Sequence, residues 1–330
     1  MTTSASAAPR ATAEPRHLLI TGASSGIGRI AARGLEQAGH RLTLICRNRE
    51  RMQEALGWVS PQTKVLLADL SDLKSLEQVC STLLEQGDPL DGLVLNAGLQ
   101  YAGHRQPRWS VQGFELTLAV NHLAHQLLLM QLLPLLLASS NPRLVITASE
   151  VHNPASGGGR VGQPAGLGDL QGLAGSPPRA MAMVDGAHRF DADKAYKDSK
   201  LCNLLMGLQA SRLHPELPVI SWSPGLVIPR EPGGFFRNSR QANPLGQALF
   251  GCIARDLLQL TESVERAGEH LQRLVLGQAE PGFVYWSNTL VRPGQHRFEA
   301  IKPSEEACDT AKAERLWCLS QERINDGLKA

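Results

Sequence analysis

The chain has almost no excess of charge of either sign. Lys and Arg number 33 against 31 Asp and Glu, a formal net charge of +2, and no segment concentrates cations as a phosphate backbone requires, so nucleic acid is excluded as an expected partner. Paired cysteines are also missing. The six cysteines, at 46, 80, 202, 252, 308 and 318, form no C-x-x-C motif, so neither a disulfide framework nor a zinc site is indicated, no metal is expected, and a reducing cytoplasm is the expected setting. No apolar run is long. Leu127 to Ala138 spans twelve residues and carries Gln131 and Pro134, well short of the roughly 20 residues that cross a bilayer; it reads as a buried or interface helix. Residues 1–16, MTTSASAAPRATAEPR, lack the apolar centre of a secretory signal and read as a disordered tail.

Hydrophobic residues make up 42% of the chain and charged residues 19%, enough apolar material for a sizeable core. Short apolar runs bounded by turn residues fall at 17–20, 41–45, 64–68, 92–95, 143–147, 219–222 and 283–286. Helix-compatible segments lie near 26–38, 49–57, 72–86, 111–137, 195–213 and 261–276. Such alternation predicts an α/β fold: a doubly wound, mostly parallel Rossmann-like sheet with helices on both faces, formed as one domain over 17–330. Two Gly- and Pro-rich stretches, about 153–193 and 228–262, interrupt it. Both are expected to be insertions near the substrate mouth.

Directly after the first run come Thr21, Gly22, Ala23, Ser24, Ser25, Gly26, Ile27 and Gly28, then a helical segment. Glycines there permit a tight strand-to-helix turn and let the backbone approach a pyrophosphate, which the helix N-terminus stabilises. After the second run, where an acid would meet the ribose of NAD(H), stand Arg47 and Asn48. A guanidinium suits a 2′-phosphate, so NADPH is the expected cofactor. Asp69 and Leu70 follow the third run, and Asn96, Ala97 and Gly98 the fourth, at strand ends where open α/β sheets bind ligands. Tyr196 and Lys200 are spaced i, i+4 on a helical segment and share one face. An adjacent ammonium and a nicotinamide cation are both expected to favour the phenolate and lower the tyrosine pKa.

In this order, TGASSGIG, NAG, VNHLAH, a serine after the fifth run and YKDSK resemble the short-chain dehydrogenase/reductase family from Leu18 to Gly225. The resemblance implies a catalytic tetrad. Ser149 would polarise the substrate, Tyr196 donate the proton, Lys200 hold the nicotinamide ribose and Asn121 position a relay water, with Pro224 and Gly225 beside the cofactor. Within the family the chain is similar to the light-dependent protochlorophyllide-reducing branch, on the segments GLGDLQGL, MAMVDGAHRF, DKAYKDSKLCNLL, GFVYWSN and FEAIKPSEEACDTAKAERLWCLSQERI. Ser149 and Tyr196 also stand 47 positions apart, an insertion shared with that branch. This likeness implies NADPH-dependent reduction of a ring C=C bond in an apolar pigment, peripheral association with photosynthetic membranes, and a helix near 123–137 of the kind used for homo-oligomers.

One segment departs from the branch. A Tyr-Pro-Gly-Cys stretch expected after the sixth strand reads Ser223-Pro224-Gly225-Leu226, and Leu226 can pack against a ligand but cannot donate a proton. A light-independent reductase of a hydrophobic carbonyl and a non-catalytic NADPH- or pigment-binding protein therefore stay open beside the pigment enzyme. His152, Leu226, Phe235 and Phe236 are the candidate substrate-lining residues. His122 and His125 read as packing or hydrogen-bonded structural residues, and Cys202 as a small buried hydrophobe.

Overall fold

A computed structural model describes residues 14–57, 60–174, 181–230, 235–242 and 244–329; of the expected disordered tail, 1–13 lie outside them. Eight strands form one sheet in the order β3-β2-β1-β4-β5-β6-β7-β8. They are β1 (His17–Thr21), β2 (Arg41–Cys46), β3 (Lys64–Leu67), β4 (Gly92–Leu95), β5 (Leu144–Thr147), β6 (Pro218–Ser223), β7 (Gly282–Arg292) and β8 (Gln295–Ala300). All neighbours are parallel except β7 and β8, which pair antiparallel at the edge.

The helices are α1 (Gly26–Gln37), α2 (Arg49–Leu56), α3 (Leu73–Gln86), α4 (Leu116–Leu118), α5 (Ala124–Leu137), α6 (Gln171–Ala174), α7 (Ala192–Leu213), α8 (Arg237–Ala242), α9 (Pro244–Gly251), α10 (Val264–Leu276) and α11 (Thr310–Lys329). Their ends follow from local chemistry. Asp72 accepts from the Lys74 amide at the start of α3, and Gly87, at φ 68°, closes it. Asp191 accepts from the amides of Asp193 and Lys194 and starts α7. Each such cap contributes about 1 kcal/mol.

Central strands are apolar on both faces, as a doubly covered parallel sheet demands. Leu19, Leu93, Leu95, Leu144, Ile146 and Val219 point to the layer of α3, α5, α7 and α11. Their neighbours Leu18, Ile20, Val94, Val145, Ile220 and Trp222 point to α1 and α10. On that second face the helices touch closely: a methyl at Gly268 would lie 2.5 Å from Ile30 Cγ2. The segment Leu116–Leu137 is apolar and long enough to cross a membrane, but in this fold it is mostly buried, packed in the first layer.

The sequence reading is corrected in four places, one of them α11, which none of the helix-compatible segments covers. β8 was not anticipated, because QHRFEA is a polar edge strand with mostly exposed residues. The second insertion is not a plain loop: α8, α9 and a π-helical turn, Cys252–Leu257, occupy much of it, with Leu245, Leu249 and Leu257 exposed. The helix expected from 111 starts at Leu116, where Glu115 caps it by accepting from the Thr117 and Leu118 amides.

His122 and His125 are fully buried, as structural histidines should be. Burial pushes both imidazoles down to about 3 from 6.5. Below pH 6.5 the unfolded chain therefore binds protons that the folded chain refuses, so their contribution is complete above that pH and is lost as pH falls toward 3. Circular dichroism during acid titration is expected to show cooperative unfolding in this window, with His122→Gln shifting the midpoint to lower pH. An unchanged fold at pH 3 would contradict the burial argument.

Candidate active site

Thr147 gathers the carboxyl ends of four strands. Its carbonyl accepts from Lys200 Nζ at 3.0 Å and Asn203 Nδ2 at 3.3 Å. Its hydroxyl accepts from Trp222 Nε1 at 3.0 Å and donates to Asn96 Oδ1 at 3.2 Å. Asn96 Nδ2 in turn donates to the Thr21 carbonyl at 3.1 Å, while the amides of Asn96 and Ala97 both donate to Thr21 Oγ1 at 3.0 Å. β1, β4, β5 and β6 thus present their ends as one rigid edge. Neither Thr147 nor Asn203 was singled out from the sequence.

Two glycines of the turn, Gly22 and Gly28, leave no room for a side chain. Gly22, at φ +74°, would place a Cβ 2.8 Å from Ala97 Cα, and one on Gly28 would meet the Gly22 carbonyl oxygen at 2.3 Å. Ser25 is the N-cap of α1 but makes no side-chain cap bond, so the leading amides, next to Ser24, Gly26 and Ile27, keep the positive end of the helix open to an anion. Arg47 extends from the end of β2 with its side chain 59% exposed, and its guanidinium lies 4.0 Å from Asp69 Oδ2. Asn48 beside it is exposed and Leu70 is buried. Asp69 Oδ1 accepts from the Ser71 amide and hydroxyl. These residues fit a dinucleotide phosphate in shape and sign.

Asn121 lies in a π-helical turn, Ala119–Leu123, a local irregularity of the kind found at functional sites. Its Nδ2 donates to the Leu99 carbonyl and to Ser199 Oγ, both at 3.0 Å, and its Oδ1 accepts from the Leu99 amide at 2.8 Å. The side chain is fully committed as a clamp between the loop after β4 and α7. An added Cβ on Gly98 would stand 3.5 Å from both Asn121 Oδ1 and Lys200 Nζ, which puts the lysine at the floor of the same cleft. Ser149, two residues past the end of β5, is buried and close enough to the Tyr196 side chain to act on its pKa, and Lys200 Nζ lies 5.8 Å from the Tyr196 ring centre.

The expected depression of the tyrosine pKa is not found. Burial pushes Tyr196 up, with the neighbouring Ser149 side chain as the opposing effect, and pushes Lys200 down to about 7. Burial is the leading cause for both groups, and the Lys200 Nζ hydrogen bond goes to the Thr147 carbonyl. The phenol is consequently protonated at neutral pH, the state a proton donor needs.

On the substrate side Phe235 covers Tyr196, with ring centroids 5.2 Å apart, and Phe236 meets Phe235 edge-on at 5.0 Å. Leu226 packs beside them and lines a cavity of about 520 Å³ with Glu150, Tyr285, Asn288 and His296. His152 borders that cavity, but both its ring nitrogens are committed, to the Ser149 carbonyl at 2.6 Å and the Ser304 amide at 3.2 Å. Ser223 is buried and accepts from the amides of Glu150 and Gly225; it braces the segment that follows Ser149. Gly225, at φ +77°, follows Pro224, and an added Cβ there would stand 2.6 Å from the Asn288 carbonyl oxygen.

The middle of YKDSK has a role that sequence reasoning missed. Lys197 donates to the carbonyls of Gly159, Val161 and Gln163, and Lys194 bridges Asp185 and Asp198 while donating to the Gly166 carbonyl. These side chains pin the first insertion onto α7. Charged residues at i, i+3 and i+4 on a largely buried helix were the available signal.

A sheet of this order, with a glycine turn after its first strand and a serine, tyrosine and lysine at its carboxyl edge, defines an oxidoreductase of the short-chain dehydrogenase class. The family model described as short chain dehydrogenase matches residues 16–159. Protochlorophyllide reductase A of Oryza sativa is 36% identical over 93% of this chain and 80% of its own length, and the Chlamydomonas reinhardtii protochlorophyllide reductase is 33% identical over 97% and 80%; both are chloroplastic. Among solved structures, a Mycobacterium paratuberculosis protein superimposes with a TM-score of 0.66 at 22% identity over 94% of this chain and 93% of that one. The NADP complex of Pseudomonas aeruginosa RhlG gives 0.55 at 22% over 80% and 91%. This chain belongs to the short-chain dehydrogenases and, among them, to the protochlorophyllide reductase family.

Proposed function

We propose that the protein reduces protochlorophyllide with NADPH, the proton coming from Tyr196. The observation that carries this reading is the extent of the likeness: relatives at 33–36% identity match 93–98% of the chain, so the matched length takes in both insertions as well as the generic core. When bound, NADPH supplies the hydride equivalent. The chain's own residues do the rest. The glycine turn and the open end of α1 receive the phosphates, Arg47 and Asn48 meet the 2′-phosphate, and Lys200 beside Gly98 holds the ribose. Ser149 orients the Tyr196 hydroxyl, which keeps its proton until the reduced ring carbon accepts it, and Phe235 shuts water away from that hydroxyl.

Leu226 favours a second reading, a light-independent reductase of a hydrophobic carbonyl, since it removes a thiol from the substrate side. Titration separates the two. Protochlorophyllide added in the dark to protein and NADPH is expected to bind with a shifted absorption band; no shift, together with dark NADPH oxidation by a panel of apolar ketones, overturns the pigment reading.

Cofactor choice has its own check. Losing a charged hydrogen-bonding partner, Arg47→Ala is expected to weaken NADPH binding about tenfold or more and NADH binding hardly at all. Equal losses for both would remove Arg47 from phosphate recognition.

A further inference from the structure

His125 makes two hydrogen bonds for which the catalytic tetrad gives no reason. It is fully buried on the first turn of α5. Its Nδ1 lies 3.0 Å from the Asn121 backbone carbonyl and its Nε2 3.2 Å from Thr21 Oγ1. The first bond requires a proton on Nδ1, because a carbonyl only accepts. The second requires Nε2 to be bare: the Thr21 oxygen already accepts from the amides of Asn96 and Ala97, and its single proton has Nε2 as nearer acceptor than the Val94 carbonyl at 3.5 Å. Both ends therefore demand the same neutral tautomer, although each could have failed independently.

The two ends belong to different machinery. Thr21 opens the dinucleotide turn, and Asn121 sits in the π-helical turn that clamps the catalytic helix through Ser199. We propose that His125 is a positioning residue whose Nδ1–H tautomer ties the Asn121 carbonyl to the Thr21 hydroxyl, holding the catalytic turn in register with the cofactor turn. This rests on the reductase reading above for its consequence in catalysis, but not for the hydrogen-bond assignment.

The test has three readouts. Long-range proton–nitrogen correlation spectra of the full chain, with His125 assigned by its loss in His125→Asn, should show a protonated Nδ1 and a bare Nε2. His125→Asn keeps a donor where Nδ1 was and gives up Thr21; NADPH affinity, read by its fluorescence, is expected to fall about three- to tenfold with kcat within about twofold, the scale of one lost hydrogen bond. His125→Gln reaches Thr21 and gives up the Asn121 carbonyl, and the same scale applies in reverse: affinity is kept and kcat falls about tenfold. An Nε2–H tautomer, or two variants that shift affinity and kcat together, would overturn the proposal. Failure of the pigment reading would show instead as a wild type without turnover, while the spectra and the NADPH titrations still decide the role of His125.

Discussion

Tyr196→Phe is expected to lower the rate of the reductive step by a factor of about 10² to 10⁴, the range for loss of a positioned acid, while leaving NADPH affinity unchanged. The phenyl ring keeps its packing against Phe235, so the fold should tolerate the loss of one oxygen. What disappears is the phenolic proton near Ser149, which burial keeps in place at neutral pH. Single-turnover measurements with saturating NADPH isolate the step. A variant within threefold of wild type would move the proton donor elsewhere, and a matching loss of NADPH affinity would make Tyr196 a binding residue.

Gly28→Ala is expected to remove dinucleotide binding almost entirely. The new methyl would stand 2.3 Å from the Gly22 carbonyl oxygen and 2.5 Å from Asn96 Nδ2, so the turn must open. Opening costs on the order of 1–3 kcal/mol of stability, as overpacking does, and breaks the Asn96 bond to Thr21 that joins β1 to β4. Calorimetry should show a lowered melting temperature and NADPH titration no saturation at concentrations that fill the wild type. Wild-type affinity in a folded Gly28→Ala protein would mean that the phosphates lie elsewhere.

Much of this architecture was legible beforehand because its signals are local. Runs such as LVIT and GLVL are apolar on both faces and can only be central parallel strands, and the glycines after Ile20 admit few turns. The candidate catalytic pair was legible as a pattern, since Tyr196 and Lys200, at i and i+4, share a helical face. What escaped depends on tertiary contacts. QHRFEA pairs with β7 at an exposed edge and carries no apolar period; PREPGGFF hid the helices that follow it. The tyrosine pKa was misjudged because the attraction of Lys200 was counted and the desolvation of both groups was not. The roles of Lys197 and Asp198 depend on the first insertion, whose carbonyls and amide they bind, and no local pattern encodes that contact. Ser223 looked like a lost aromatic contact, whereas its hydroxyl braces the segment after β5.

The most direct measurement is an absorbance time course of the protein with NADPH and protochlorophyllide, held dark and then given a brief flash. Conversion to a red-shifted chlorophyllide spectrum only after light, only with NADPH, and abolished in Tyr196→Phe is the predicted result. Oxidation of NADPH in the dark, or a bound pigment whose spectrum no flash changes, would contradict it.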